Sequence, residues 1–566
     1  MKSTLASVVV TVIACLAGCG GGGTGDINDY VIPQLPPATG ASLGSCTSLA
    51  NFSYANTTVA AASAVAAGTL SVAGNAIPAH CVVTGTMFSR TSTVDSKAYA
   101  IGWEMRLPNA WNGRFFYQAN GGTDGSVVTA TGPAGGGGPL TSALLQGFAV
   151  ISSDAGHNAA QNPTFGIDPQ ARLDYGYQAV GKLTPMAKQL IASAYGKFPD
   201  RSYIGGCSNG GRHTMVAIER YPTDFDGFLV GDPGTVLPLA ALANTAGAQV
   251  YASLATNPAD ISTGFTAAER ALVSNAVLAK CDALDGATDG LVQATQACQA
   301  AFDLNRDVPT CSGARDGTCL SAAQKNGIAG LFAGAKLSDG TLIYSSWPYD
   351  AGVGTGGWAF WKFTVPVVLD SGALGFIWQV PPANPTTFNG ATFALTSDID
   401  TLSQKIHATD STYTQDSLTF MTPPNLGAID EVRVRGAKVM IYHGTSDPIF
   451  SSDNSVSIWN TWNRQYVGGI SNVARLYLVP GMNHCSGGPA TDQFDMLTPL
   501  VNWVEKGVVP DSVIASARRT GNPGGANADV PATWAANRTR PLCMYPKVAT
   551  YNGSGSLESA SSFTCQ

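Results

Sequence analysis

A serine set among glycines, Gly206-Cys207-Ser208-Asn209-Gly210, stands where a short apolar run (202–205) gives way to a helix-like stretch (210–220). In a G-x-S-x-G turn the glycines let a strand reverse sharply into a helix, which leaves the serine hydroxyl exposed at the helix N-terminus. A hydroxyl is a weak nucleophile until a base takes its proton, and the base needs a carboxylate to hold its tautomer. Both partners occur downstream. Residues 438–442 run into His443-Gly444-Thr445-Ser446-Asp447, and residues 475–479 run into Pro480-Gly481-Met482-Asn483-His484. Ser208 is therefore the candidate nucleophile, His484 the base and Asp447 the orienting acid. The charge that develops on a tetrahedral intermediate needs two backbone N–H donors. Asn209, next to the serine, offers one. The turn Asn120-Gly121-Gly122, after the run 114–118, offers the other, with Gly122 preferred to Gly121.

These groups need a scaffold that brings distant segments together. Short β-branched or aromatic runs occur at 99–107, 114–118, 148–153, 202–205, 228–230, 438–442 and 475–479, with helix-like stretches at 185–195 and 210–220. Strands alternating with helices imply a largely parallel sheet covered on both faces. The order Ser208, Asp447, His484, each just after a strand, is that of an α/β-hydrolase. The expected fold is α/β, an α/β-hydrolase core in two parts (41–233 and 431–566) with a large inserted lid (234–430). The lid segment breaks the rhythm and is rich in Ala, Gly, Thr and aromatics.

Charged residues make up only 12% of the 566, with 31 Lys and Arg against 38 Asp and Glu, a net charge of −7. A chain this poor in positive charge is unsuited to a phosphate backbone, so nucleic-acid partners are not expected. Lys2 and the apolar stretch 5–17 lead to Leu16-Ala17-Gly18-Cys19, which resembles a lipoprotein signal. Residues 1–18 would be removed, Cys19 would carry the lipid, and 19–40 would serve as a linker. No later segment reads as long and apolar enough to span a membrane. The expected location is the outer membrane, periplasm or exterior of a bacterium, with a lipid anchor as the one membrane contact.

Of twelve cysteines, Cys15 falls in the signal and Cys19 at the lipid site, leaving ten in an oxidising compartment. Neighbours in sequence suggest Cys46–Cys81, Cys281–Cys298, Cys311–Cys319 and Cys543–Cys565, although sequence alone leaves the connectivity open. Cys207 and Cys485 remain, one preceding Ser208 and the other following His484. If those two residues meet, their neighbours fall within the roughly 4.4–6.8 Å Cα range of a disulfide. Between Cys281 and Cys298, Asp282, Asp285 and Asp289 crowd three carboxylates into eight residues. Such a loop is either a solvated acidic turn or a site for a hard cation such as Ca²⁺.

The run Gly206 to Arg212, Asp447, His484-Cys485 and the stretch Phe165-Gly166-Ile167-Asp168-Pro169-Gln170-Ala171-Arg172-Leu173-Asp174-Tyr175-Gly176-Tyr177 resemble the tannase/feruloyl esterase family. That family also contains a terephthalate-monoester hydrolase. The resemblance spans the mature chain and implies hydrolysis of esters of aromatic acids through an acyl-enzyme. It also implies a structural Ca²⁺ held by Asp282, Asp285 and Asp289 with the carbonyls of Ala287 and Leu291. Positions 344–378 hold nine aromatics, nearly three times the chain average of 9%, which suits an aryl substrate. From Phe363 to Gln404 there is no Arg or Lys, whereas the terephthalate-monoester hydrolase uses a lid arginine to grip the free carboxylate. Hydroxycinnamic or gallic esters are thus preferred, with a terephthalate monoester as the alternative. A calcium-dependent surface binding protein on a degenerate hydrolase scaffold is the alternative of another class.

Overall fold

The sheet that positions the chemistry has nine strands, β1 (Thr57–Val65), β2 (His80–Thr91), β3 (Ala98–Pro108), β4 (Arg114–Gln118), β5 (Ala149–Ser153), β6 (Arg201–Cys207), β7 (Gly227–Gly231), β8 (Lys438–Gly444) and β9 (Ala474–Val479). They lie side by side as β1-β2-β3-β5-β4-β6-β7-β8-β9. From β5 to β9 every pairing is parallel. The other three pairings, β1/β2, β2/β3 and β3/β5, are antiparallel. The sheet is mixed where the sequence suggested a largely parallel one. β1 is built from Thr, Ala and Ser with a mostly exposed pattern, so it sends little apolar signal. By contrast, β5, β7 and β8 are buried at every residue, as parallel strands covered on both faces must be.

The computed structural model describes residues 32–566; the expected signal peptide and Cys19 lie outside the described residues. Residues 32–40, read as linker from their prolines, are instead tied along the core. Gln34 donates to the Val504 carbonyl at 2.7 Å, and the Ala38 N–H donates to Glu505 at 2.9 Å. Backbone and side-chain hydrogen bonds of this kind leave no periodic trace in a sequence.

Helices flank the sheet, among them α1 (Ala179–Tyr195) and α2 (Asn209–Arg220). Pro185, expected as a helix start, lies inside α1. Full burial of Leu183, Met186, Leu190 and Ile191 outweighs the one hydrogen bond a proline removes. Between β7 and β8 runs a largely helical insertion with α3 (Leu237–Leu254), α4 (Ala267–Cys281) and α5 (Gly356–Trp378). Tyr251, Phe265, Val273, Val277, Trp358 and Phe363 form a core of its own. Leu374, Ile377, Trp378 and Leu402 merge with the main core beneath the sheet. By length and composition α5 is apolar enough to cross a membrane (23 residues, mean hydropathy 1.3), contrary to the sequence reading. That apolar stretch is 61% buried inside the protein, so its hydropathy serves packing here.

Candidate active site

β6 delivers Ser208 on a turn that few residues tolerate. Its backbone sits at φ 67°, ψ −127°, a strained conformation costing about 1–3 kcal/mol. Its N–H donates to the Gly231 carbonyl at 3.0 Å. The flanking glycines are obligatory for steric reasons. A Cβ on Gly206 would lie 2.2 Å from the Ala119 carbonyl oxygen, and one on Gly210 would lie 2.3 Å from the same atom. The turn is thus pressed against the end of β4.

β8 and β9 deliver the other two residues from the same edge of the sheet, the carboxyl ends of the strands where α/β sheets place their sites. His484 Nε2 lies 2.8 Å from Ser208 Oγ, and its Nδ1 lies 2.7 Å from Asp447 Oδ2. Asp447 Oδ1 accepts the backbone N–H groups of Ile449 (2.9 Å) and Phe450 (3.0 Å). Burial alone would raise the Asp447 carboxyl. The charge of His484 and hydrogen bonds from His443 and His484 outweigh burial and hold it well below the usual carboxylate range. The structure therefore joins the three residues singled out by order alone. The Cys207–Cys485 disulfide, with Cα atoms 6.0 Å apart, links the segments that carry nucleophile and base.

Three neighbours had not been singled out. His443 Nε2 is 3.5 Å from Asp447 Oδ2, and its Nδ1 contacts Ser455 Oγ at 2.8 Å. Asp232, at the end of β7, accepts the Gly444 N–H at 2.8 Å and lies with His443 and Asp447 in one buried cluster whose polar atoms are all within 4.8 Å. Burial drives the Asp232 carboxyl well above its usual range, opposed by the charge of His443. Phe450 meets the His484 ring edge-on at 5.2 Å. The spacing of His443 and Asp447 on one post-strand turn was a usable signal; Asp232 had none.

Of the insertion's aromatics, Trp361 meets the His484 ring edge-on at 4.6 Å, whereas Trp358 is buried in the insertion's own core. Trp361 lies in a wide-turn stretch of α5, Phe360–Thr364, a helix variant common at functional sites. The next residue, Lys362, is half-buried, its Nζ 3.7 Å over the Trp347 ring and 3.3 Å from Asn244 Oδ1. With Asp447 and Trp358 it lines a small cavity of about 20 Å³ beside the triad. Burial lowers its ammonium to about 7.

The turn after β4 runs beside the nucleophile. A Cβ built on Gly121 would come 3.7 Å from Ser208 Cβ, while one on Gly122 would meet nothing within 4 Å. Gly122 has φ 65°, and its carbonyl accepts the Tyr175 hydroxyl at 3.3 Å. Among the described residues, neither the Gly122 nor the Asn209 N–H finds an acceptor.

In the acidic loop Asp282, Asp285 and Asp289 are all buried. Asp282 accepts the N–H groups of Asp289 (2.9 Å) and Gly290 (2.9 Å). Asp285 Oδ1 accepts the Ala287 N–H at 3.0 Å, while its Oδ2 is buried without a partner. Asp289 Oδ2 is drawn to Arg540. These oxygens do not converge on one point as those around Asp447 do. Burial, with the charges of Asp289 and Asp282, pushes the Asp285 carboxyl up to about 7. The Cys281–Cys298 disulfide anchors the loop, and Cys46–Cys81, Cys311–Cys319 and Cys543–Cys565 complete five. Five disulfides mark an extracellular or periplasmic protein.

A profile of the tannase and feruloyl esterase family matches residues 81–566. The chain belongs to that family. A mono(2-hydroxyethyl) terephthalate hydrolase from Piscinibacter sakaiensis is 40% identical over 532 residues, covering 87% of this chain and 85% of that protein. In fold the family member resembles feruloyl esterase B of Aspergillus oryzae, with a TM-score of 0.72 at 24% identity over 92% of this chain and 99% of that one. It also resembles the tannin acyl hydrolase of Aspergillus niger, with a TM-score of 0.63 at 21% identity over 90% and 92%. As a member of this family the protein is a carboxylic ester hydrolase acting on small esters. The reading as a surface binding protein on a degenerate scaffold is set aside.

Proposed function

We propose that this ester hydrolase is a serine esterase of aromatic acids working through an acyl-enzyme. The contact of His484 Nε2 with Ser208 Oγ at 2.8 Å, backed by Asp447, carries the reading. Ser208 Oγ attacks the ester carbonyl as His484 takes its proton, and the imidazolium then protonates the departing alcohol. The N–H groups of Asn209 and Gly122 receive the oxyanion. Water, deprotonated by His484, releases the aromatic acid and restores Ser208. The insertion 234–430 acts as a lid, with Trp361 placing a ring beside His484.

A Ca²⁺ ion in the acidic loop is favoured by the unpartnered Asp285 Oδ2, and it would have to draw together oxygens that do not converge in this structure. Asp282, Asp285 and Asp289 with the carbonyls of Ala287 and Leu291 would hold it. When bound, the ion neutralises the loop and fixes it; no catalytic step passes through it.

Feruloyl, galloyl or related hydroxyaromatic esters are the preferred substrates, because residues 363–404 hold no Arg or Lys and the adjacent Lys362 is committed to Trp347 and Asn244. A terephthalate monoester is the second reading, favoured by the relative from Piscinibacter sakaiensis. Turnover of methyl ferulate, methyl gallate and a terephthalate monoester ranks the two directly. A fluorophosphonate probe should label Ser208 and no other residue; an unlabelled, active enzyme would overturn the serine mechanism.

A further inference from the structure

The oxyanion site proposed above draws its two N–H donors from separate elements, the loop after β4 and the first residue of α2. Something must keep them in register, since an error of 1 Å in such geometry costs catalysis heavily. The small cavity beside Asp447 and Lys362 includes no residue of this junction in its lining. Asp124 lies at the junction itself.

Asp124 sits two residues after Gly122, and its N–H closes the loop on the Gly121 carbonyl at 3.3 Å. Its backbone has φ 53°, an uncommon conformation for a residue with a side chain. Its carbonyl accepts Asn162 Nδ2 at 3.0 Å. The side chain, only 2% exposed, turns beneath the loop to α2. There Oδ2 accepts Asn209 Nδ2 at 2.8 Å and lies 2.9 Å from His213 Nε2. Arg212 Nε in turn holds Asn209 Oδ1 at 2.6 Å. One carboxylate oxygen thus fastens the loop of one donor to the side chain of the residue that supplies the other.

We propose that Asp124 is a positioning residue that locks the two halves of the oxyanion site together through Asn209 and His213. The inference rests on the reading of Gly122 and Asn209 as the oxyanion donors. Asp124 touches no reacting atom. Its work is to hold two backbone amides at a fixed separation before the substrate arrives, so that no reorganisation is needed as charge develops. Burial, opposed by His157, Arg212 and the Asn209 hydrogen bond, brings its carboxyl to about 7. The fold therefore keeps an expensive buried acid at this junction where an amide would fill the same space.

The test compares the best ester of the panel with its C=S thionoester, because sulfur is a poor acceptor for an oxyanion site. Asp124→Asn keeps the shape but replaces one acceptor oxygen with a donor. Asn209→Ala removes the other end of the contact and keeps the backbone N–H. Each should lower kcat about 10- to 100-fold with KM changed less than about 3-fold, and each should shrink the enzyme's preference for the oxygen ester. The double variant should lose much less than the product of the two, since both break one contact. Wild-type enzyme that does not discriminate against the thionoester would sink the oxyanion reading itself. If wild type discriminates but folded Asp124→Asn and Asn209→Ala keep full kcat and full discrimination, the positioning role is overturned. Should Asp124→Asn fail to fold, Asn209→Ala decides alone.

Discussion

Behind Ser208, the buried carboxylate of Asp447 has both oxygens engaged, one by two backbone N–H groups and the other by His484 and His443. In the loop 282–291, the equally buried carboxylate of Asp285 keeps one oxygen without a partner and is surrounded by two further acids. The first arrangement stabilises the anion with groups the fold itself supplies, so Asp447 stays charged and can orient a base. The second pairs Asp289 with Arg540 but leaves one Asp285 oxygen unanswered, so its partner must come from outside the chain or be a proton. Burial is the same in both places; what differs is whether the partners are built in.

The largest expected effect lies in the first region. Ser208→Ala and His484→Ala should each lower kcat on the order of 10⁴- to 10⁶-fold, read by steady-state turnover in protein shown to be folded. Near-normal turnover in either would break the comparison at once. Asp447→Asn should cost less, on the order of 10²- to 10⁴-fold. Asp232→Asn should cost far less again, because Asp232 accepts the Gly444 N–H whereas Asp447 holds His484; equal losses would mean that the two acids share one role. Removing the bridge with the double change Cys207→Ala, Cys485→Ala should lower kcat/KM about tenfold in molecules that remain folded. It should also destabilise the chain, since closing a loop of 278 residues amounts to roughly 5 kcal/mol in the chain-entropy picture. A peptide map with Cys207 joined to any other cysteine would remove the basis of this prediction.

The second region answers to calcium. Chelation should lower Tm by several degrees, and added Ca²⁺ should restore it by binding the folded state alone. Asp289→Ala should abolish that response and leave kcat of the folded enzyme intact. A Tm that ignores both chelator and calcium would make the loop an acidic turn held by Arg540. The smallest effect belongs to a third buried acid, Asp124. Its folded-state carboxyl titrates at about 7 against about 3.9 in an unfolded chain. The folded state therefore binds the extra proton, and wild-type stability should decline as pH rises from about 4 to about 7. Asp124→Asn should reduce that slope in a series of melting curves, without abolishing it, because Asp285 titrates in the same range; an unchanged slope would place the titration elsewhere.

The sequence displayed its chemistry more plainly than its architecture. Strands 114–118, 202–205, 438–442 and 475–479 were legible because parallel, doubly covered strands are written as unbroken apolar runs. Ser208, Asp447 and His484 were legible because each follows such a run. β1 was invisible, since an exposed edge of Thr, Ala and Ser obeys no hydrophobic alternation. The start of α1 was misplaced because Pro185 mimics a helix start. Asp124 and Asp232 were out of reach for a deeper reason. Their environments are made by elements up to 212 residues away, and nothing local distinguishes them from loop acids that merely cap a turn.

The order of strands in the sheet also has a consequence for how the chain comes to work at all. β7 and β8 are neighbours in space, yet the whole insertion is synthesised between them, and the base lies 276 residues after the nucleophile it serves. Contacts of such long range are the slowest to form in a folding chain. Catalytic competence should therefore arrive late, after the insertion has condensed and β8 has found β7. A chain interrupted anywhere before β9 carries a well-shaped serine turn and no base. The enzyme is inert until its last third, which carries His484, is in place.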